Sequence, residues 1–122
     1  MKVREALAAF DAARPNLIDR AIKIAWLSLV DHYVKREIID THEGWENIKY
    51  EGYGAEDDDK DLLVPEPYSE LYAYFLEAKA QYEQGDMMRY SNAMSLYNQG
   101  MQEFARWYNA THMPLSAPVI YR

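Results

Sequence analysis

The chain has 122 residues, 49% of them hydrophobic, and a formal net charge of −7. That length and apolar share suit one domain with a core of its own and leave no room for a second. The absence of cysteine excludes disulfides, thiolate metal sites and a cysteine nucleophile, and the acidic balance argues against a broad face that grips nucleic acid, which needs clustered Lys and Arg.

Residues 1–13 place Val3, Leu7 and Phe10 at helical spacing. Lys2, Arg4 and Glu5 fall where an export signal would need an apolar run, so none is expected. Pro15 disfavours helix at Arg14, and Asn16 is placed to cap the next segment.

Residues 17–40 predict a helix of roughly six turns. Its apolar stripe reads Ile18, Ile22, Trp26, Leu29, Tyr33 and Ile38, with Asp19, Lys23, Asp31, Lys35 and Glu37 mostly on the solvent side. Gly44 suits a left-handed stop after Thr41, His42 and Glu43. No apolar run approaches the roughly 18 residues of a membrane span.

Residues 45–66 read as a long loop of aromatic and acidic character, with the run Glu56–Asp61 a solvated charged segment. Alternation around Ile48, Lys49 and Tyr50 leaves open a short β-hairpin. Pro65 and Pro67 enforce an extended approach to a third helix over 68–84, whose inner face is Leu71, Tyr72, Phe75, Ala78 and Tyr82. Gly85 and Asp86 stop that helix and cap the next.

From 87 to 109, Met87, Tyr90, Met94, Tyr97, Met101, Phe104 and Tyr108 alternate spacings of three and four. Such a seam lays one helix along another, and the short turn at Gly85 makes the last two helices an antiparallel hairpin. Residues 113–122 form an apolar tail broken by Pro114 and Pro118, which predicts an extended segment docked on another surface. The predicted fold is all-α: a single domain over 1–122, a small helical bundle with a helical hairpin, a loop over 45–66 and a tail over 113–122.

Chemistry is sparse. His32, His42 and His112 have no second His at helical metal spacing. The acidic run lacks the central Gly and closing Glu of a calcium loop. No serine sits in a nucleophile-elbow context, and no Gly-rich phosphate loop is present. Glu66 and Glu70 read as a surface pair. The sequence therefore predicts no enzyme, no cofactor and no metal.

The unusual feature is the count of 11 Tyr and 3 Trp, residue types that favour half-wet surfaces and interface centres. Trp45, Tyr50, Tyr53, Tyr74 and Trp107 fall off the helical stripes. Together with Leu62, Leu63 and Val64 and the tail residues Met113, Leu115, Val119, Ile120 and Tyr121, they are the expected subunit-interface residues.

Three stretches carry a family resemblance. Val3-Arg4-Glu5-Ala6-Leu7 is followed by Arg14-Pro15-Asn16 and Trp26-Leu27-Ser28. Thr41-His42-Glu43 comes next. Leu62-Leu63-Val64-Pro65-Glu66-Pro67-Tyr68 then leads through Leu71-Tyr72 and Arg89-Tyr90-Ser91-Asn92 to Trp107-Tyr108-Asn109 and Thr111-His112-Met113-Pro114. In this order, over nearly the whole chain, the sequence resembles the head–tail connector (adaptor) proteins of tailed phages and prophages of Gram-positive bacteria. Ala110 stands where that pattern has Arg, and Leu17-Ile18-Asp19-Arg20 is more apolar than expected.

The resemblance implies a virion protein made in the host cytoplasm. Such a subunit assembles with itself into a ring, commonly of twelve copies, between the portal protein and a downstream tail or stopper protein. DNA passes through the ring without specific binding, an expectation the negative charge suits. The competing readings are a helical interaction module acting as a dimer on one protein partner, and a small hydrolase using His32 with Asp31.

Overall fold

Two helices joined by a single glycine turn pack most extensively against each other. In the computed structural model, which describes residues 1–115, these are α3 (Glu70–Glu83) and α4 (Met87–Thr111), preceded by α1 (Val3–Ala13) and α2 (Arg20–Glu37). Gly85 takes φ +78°, which an L side chain rarely adopts, and Asp86 caps α4 by accepting from the Arg89 amide at 3.1 Å. The predicted antiparallel hairpin is therefore present. Its α4 seam is buried at Tyr97, Met101, Phe104 and Tyr108, with Met94 packed at its edge, whereas Met87 is exposed beyond the hairpin's core.

The fold is all-α, as expected, but two helical faces differ from their patterns. On α2 the buried residues are Lys23, Ile24, Trp26, Leu27, Val30, Asp31 and Val34. Ile22, Leu29 and Tyr33, three members of the expected inner stripe, are 46%, 52% and 46% exposed. The helix is apolar on two faces, and the inner one carries two charged residues whose charges are met by partners inside the protein. On α3 the inner face is Leu71, Tyr72, Leu76, Ala78 and Ala80, while Tyr82 is exposed and meets Tyr90 of α4 edge-on at 5.3 Å.

Caps and loops also differ locally. Asp19, not Asn16, caps α2, accepting from the Ala21 amide at 3.2 Å. Asn16 is used instead in the α1–α2 corner, where its side-chain oxygen accepts from Lys23 Nζ at 3.1 Å. After α2 the chain makes a 3-10 turn over Ile39–Thr41, and Gly44 (φ 89°) starts a second over Trp45–Asn47. Among the described residues there is no strand, so the open possibility of a hairpin in 45–66 is not realised. That segment makes local turns, such as Asp57 N to Gly54 O at 3.0 Å, and bonds to α2: the Tyr53 amide donates to Ser28 Oγ at 2.9 Å and the Tyr50 hydroxyl to the Ser28 carbonyl at 2.8 Å.

The acidic run is not a freely solvated loop either. It lies against the N-terminus of α1, where the Lys60 and Asp58 carbonyls accept from the Val3 and Arg4 amides at 3.0 Å each. Asp58 pairs with Arg20 at 2.7 Å, Asp59 with Arg4, and Asp61 faces Lys2 at 3.8 Å. Carbonyls and carboxylates gathered at a helix N-terminus satisfy its free N–H groups and oppose its dipole. The Glu66–Pro67 peptide is cis.

Candidate functional site

Two buried polar clusters fix the surfaces around them, and the sequence pattern announced neither. The first centres on Asp31, which is fully buried in the middle of α2. Its carboxylate accepts from the Tyr72 hydroxyl at 2.6 Å, from the Leu63 amide at 3.0 Å and from the Tyr53 hydroxyl. Tyr72 in turn accepts from the Val64 amide at 2.8 Å. Asp31 thereby ties α2, α3 and the 53–64 segment at one point. Burial pushes its carboxyl above the ordinary 3.8, and the donors from Tyr53, Tyr72 and Leu63 offset only part of that. Tyr72 is also pushed well above 10, by burial first and then by the facing carboxylate.

The second cluster centres on His42, also buried. Nδ1 lies 2.6 Å from the Ile38 carbonyl, which can only accept, so this nitrogen carries the hydrogen. Nε2 lies 2.6 Å from the Asn109 side-chain oxygen, and Tyr108 packs edge-on against the ring. Beside it the start of the tail pairs antiparallel with the 41–43 corner: the Glu43 amide donates to Met113 O at 2.8 Å and the Leu115 amide to Thr41 O at 3.0 Å. The expected docking surface of the tail is, for these residues, the chain's own corner.

A third polar contact joins α1 to α2. Lys23 Nζ, buried, donates to Asp11 at 2.6 Å. Burial raises the Asp11 pKa, but the hydrogen bonds from Lys23 and Asn16 and the charges of Lys23 and Arg20 outweigh it, leaving the carboxyl below 3.8.

The expected interface residues separate into groups. Leu62 and Val64 lie in the core of this same chain, so their expected place at an interface between subunits is corrected. The backbone amides of Leu63 and Val64 are drawn inward by Asp31 and Tyr72, which carries the flanking apolar side chains with them. Tyr50 and Tyr53 are half-buried by their bonds to α2. Trp107 is half-buried in an aromatic cluster, 5.5 Å from Tyr68. Trp45 is exposed, with Lys35 Nζ 5.5 Å above its ring. Tyr74 is half-buried at a groove, and Met113 and Leu115 are exposed at 65% and 50%. Val119, Ile120 and Tyr121 lie outside the described residues.

Asp31 and His32, adjacent in sequence, are not a dyad. Asp31 is buried among its three donors, whereas His32 is exposed against the Tyr50 ring at 4.9 Å. Among the described residues no group of three His, Asp or Glu side chains is arranged to hold a metal ion, and no helix is long and apolar enough to cross a membrane.

What the surface offers is a pair of grooves on opposite sides of α4. One, of about 610 Å³, runs between α2 and α4 and is lined by Leu29, Tyr33, Ile38, Tyr97, Met101 and Ala105, among others. The other side carries a cleft between α3 and α4 lined by Tyr74, Leu96, Gly100 and Glu103, continued by Arg14, Glu77 and Arg89. At about 100° per residue, Leu96, Gly100 and Glu103 share one flank of α4, with Asn98, Met101, Gln102 and Ala105 roughly diametrically opposite. The exposed half of the α2 stripe, which pattern reading assigned to the core, forms the lip of the first groove. A helix with apolar residues on both faces is the sequence signal for it.

No family model, no curated protein and no solved structure matches this chain.

Proposed function

We propose that the chain is a structural subunit that assembles head-to-tail with its own copies, as a head–tail connector ring between a phage portal protein and the tail machinery. The observation that carries this reading is the pair of grooves on opposite flanks of α4, one lipped by Leu29 and Tyr33 and the other by Tyr74 and Leu96. Two different grooves facing away from each other, one mainly apolar and one carrying Arg and Glu side chains, suit a heterologous contact, which closes into a ring when the rotation per copy divides the circle. A single self-complementary patch would suit a two-fold dimer instead.

Further support comes from the sequence resemblance and from charge. A subunit with a net charge of −7 lining a channel repels the phosphate backbone and lets DNA slide without sticking. The buried Asp31 and His42 clusters supply rigid scaffolding, which an assembly subunit needs more than it needs a reactive group.

The test is the mass of the purified chain in solution, alone and mixed with the portal protein encoded beside it. A species near twelve times the 14.3 kDa subunit mass, or a stable complex with the portal ring, is the expected result. A lone two-fold dimer indifferent to the portal would replace the connector by the interaction-module reading.

A further inference from the structure

We infer that the cleft between α3 and α4 receives α2 of a neighbouring copy, laid parallel to α4 with Leu29 opposite Leu96. The inference rests on the head-to-tail reading above and names the pairing that such growth uses. Three observations select a second copy as the occupant.

The first is period. Ile22, Ala25, Leu29, His32 and Arg36 alternate spacings of three and four along α2, and all five are exposed. Such a row is a coiled-coil seam turned away from its own core. Arg89, Asn92, Leu96, Gln99 and Glu103 repeat that spacing on the outer flank of α4, where they line the cleft. These are the two halves of a helix-in-groove contact, and the chain carries both.

The second is length. Fourteen positions separate the ends of each row, a run of about 21 Å at 1.5 Å per residue. Leu29 and Tyr33, each about half exposed, form the crest of the α2 row, with a hollow on either side. Tyr74 and Leu96 lie midway along the cleft, so an apolar crest meets an apolar floor.

The third is charge. Glu70 and Glu103 line one end of the cleft with no Lys or Arg beside them. Burial first, and then the Glu70 and Glu103 carboxylates, push the Tyr74 phenol above 10.0, so both charges reach the cleft. The Arg36 side chain is 79% exposed and uses Nε on Glu37 at 2.9 Å. Its other two nitrogens are left for a second carboxylate. Setting Arg36 against Glu70 and Glu103 makes α2 run parallel to α4 and places Leu29 on Leu96. It also brings Asp19, one turn before Ile22, to Arg89. The reverse direction sets Asp19 among the two glutamates, where like charges repel.

The chain has no cysteine, so single cysteines report which surfaces of two copies meet. Full-length Ala25→Cys and Asn92→Cys, both changed at exposed positions, are mixed and oxidised, and the disulfide-linked dimers are identified by mass. The expected product joins positions 25 and 92 in several-fold excess over either homodimer. It should also exceed several-fold the product of Ala25→Cys with Gln99→Cys, which reports the reverse direction. Adding Arg36→Glu to the first chain should cut the yield several-fold, and Glu103→Arg in the second should recover it. A preference for position 99 would overturn the inference, as would a yield that Arg36→Glu leaves untouched. Links no more frequent than random collision, from a chain whose unsubstituted form has a ring-sized mass, would overturn this pairing and leave head-to-tail growth standing. The same lack of links from a monomer, or links mainly from position 25 to itself in a two-fold dimer, would overturn both.

Discussion

The Tyr72 hydroxyl donates to Asp31 at 2.6 Å across 41 residues of sequence, and the same oxygen accepts from the Val64 amide at 2.8 Å. One phenol thus serves a buried carboxylate and a buried amide at once. Tyr72→Phe keeps the ring and removes both bonds. Leaving a buried donor and a buried charge short of a partner costs about 2–3 kcal/mol. Tyr53→Phe, at a half-buried site where water can replace the hydroxyl, should cost less than half as much. Urea unfolding of the two variants checks the order, and equal losses would mean that Asp31 is not the shared anchor.

The Asp31 carboxyl should titrate above 3.8, because its burial outweighs its three donors. The sign follows from linkage. Between the unfolded and the folded pKa, the folded state holds a proton that the unfolded chain has released. Asp31 therefore contributes stability that is complete below the unfolded value and is lost as pH rises through the folded one. Asp11, held below 3.8, acts oppositely: its contribution is present above the unfolded value and lost as pH falls. Side-chain carboxyl carbon shifts followed against pH resolve the two, and an Asp31 midpoint at or below 3.8 would show that the donors win.

The Lys23–Asp11 pair is asymmetric, with the ammonium buried and the carboxylate's side chain 46% exposed. Asp11→Ala strands the buried charge with Asn16 alone and should cost about 2–4 kcal/mol. Lys23→Met leaves Asp11 in water and replaces the stem by an apolar one, so its loss should stay near or below about 1 kcal/mol. Chemical denaturation of both single variants measures the difference; a larger loss for Lys23→Met would contradict the assigned burial.

How far the sequence revealed this architecture depended on where charge was placed. The α4 seam was readable because Tyr97, Met101, Phe104 and Tyr108 are all apolar or aromatic and all buried, so the three-four spacing and the burial coincide. On α2 the buried face contains Lys23 and Asp31, and the exposed face contains Ile22, Leu29 and Tyr33. Periodicity scores the second face as the core, since it cannot see that Asp11 and Asn16 neutralise Lys23 or that two tyrosines and an amide satisfy Asp31. Those partners lie up to 41 residues away. The grooves were invisible for the same reason: each is made by residues that share no local pattern. The aromatic surplus did point to surfaces, and Trp45 and Tyr74 remain at them, but Leu62 and Val64 were claimed by the core.

Gly100 marks a close approach of the hairpin helices. A Cβ there would stand 3.2 Å from Leu71 Cβ. Alanine gains about 0.5–1 kcal/mol in helix preference but loses about 1–3 kcal/mol through overpacking. The net expectation for Gly100→Ala is destabilisation of roughly 1 kcal/mol. Thermal unfolding decides it, and a stabilised variant would show that the helices separate freely.

Opposite-face contacts give assembly a distinctive arithmetic. Leu29→Arg blocks one groove and Leu96→Arg the other, and each variant alone should stay monomeric. Mixed, the pair retains one intact contact, so light scattering should find a heterodimer that grows no further. Monomers in the mixture, or assembly by either variant alone, would argue against head-to-tail growth through these flanks.

The two outer segments of the described chain are both fastened to its middle. Met1 and the first residues of α1 bond to Leu62, Lys60 and Asp58, and residues 113–115 bond to Thr41 and Glu43. The α3–α4 hairpin, by contrast, closes across a turn of three residues, Gln84 to Asp86. Loop-closure entropy makes the near contact form before the distant ones. During synthesis α1 emerges before residues 58–62, so its clasp is complete only when they follow, and the corner at His42 stays open until Asn109 emerges. Maturation of the subunit surface is thus timed by α4, and a nascent copy cannot present a finished groove to its neighbours before Ala105 has been made.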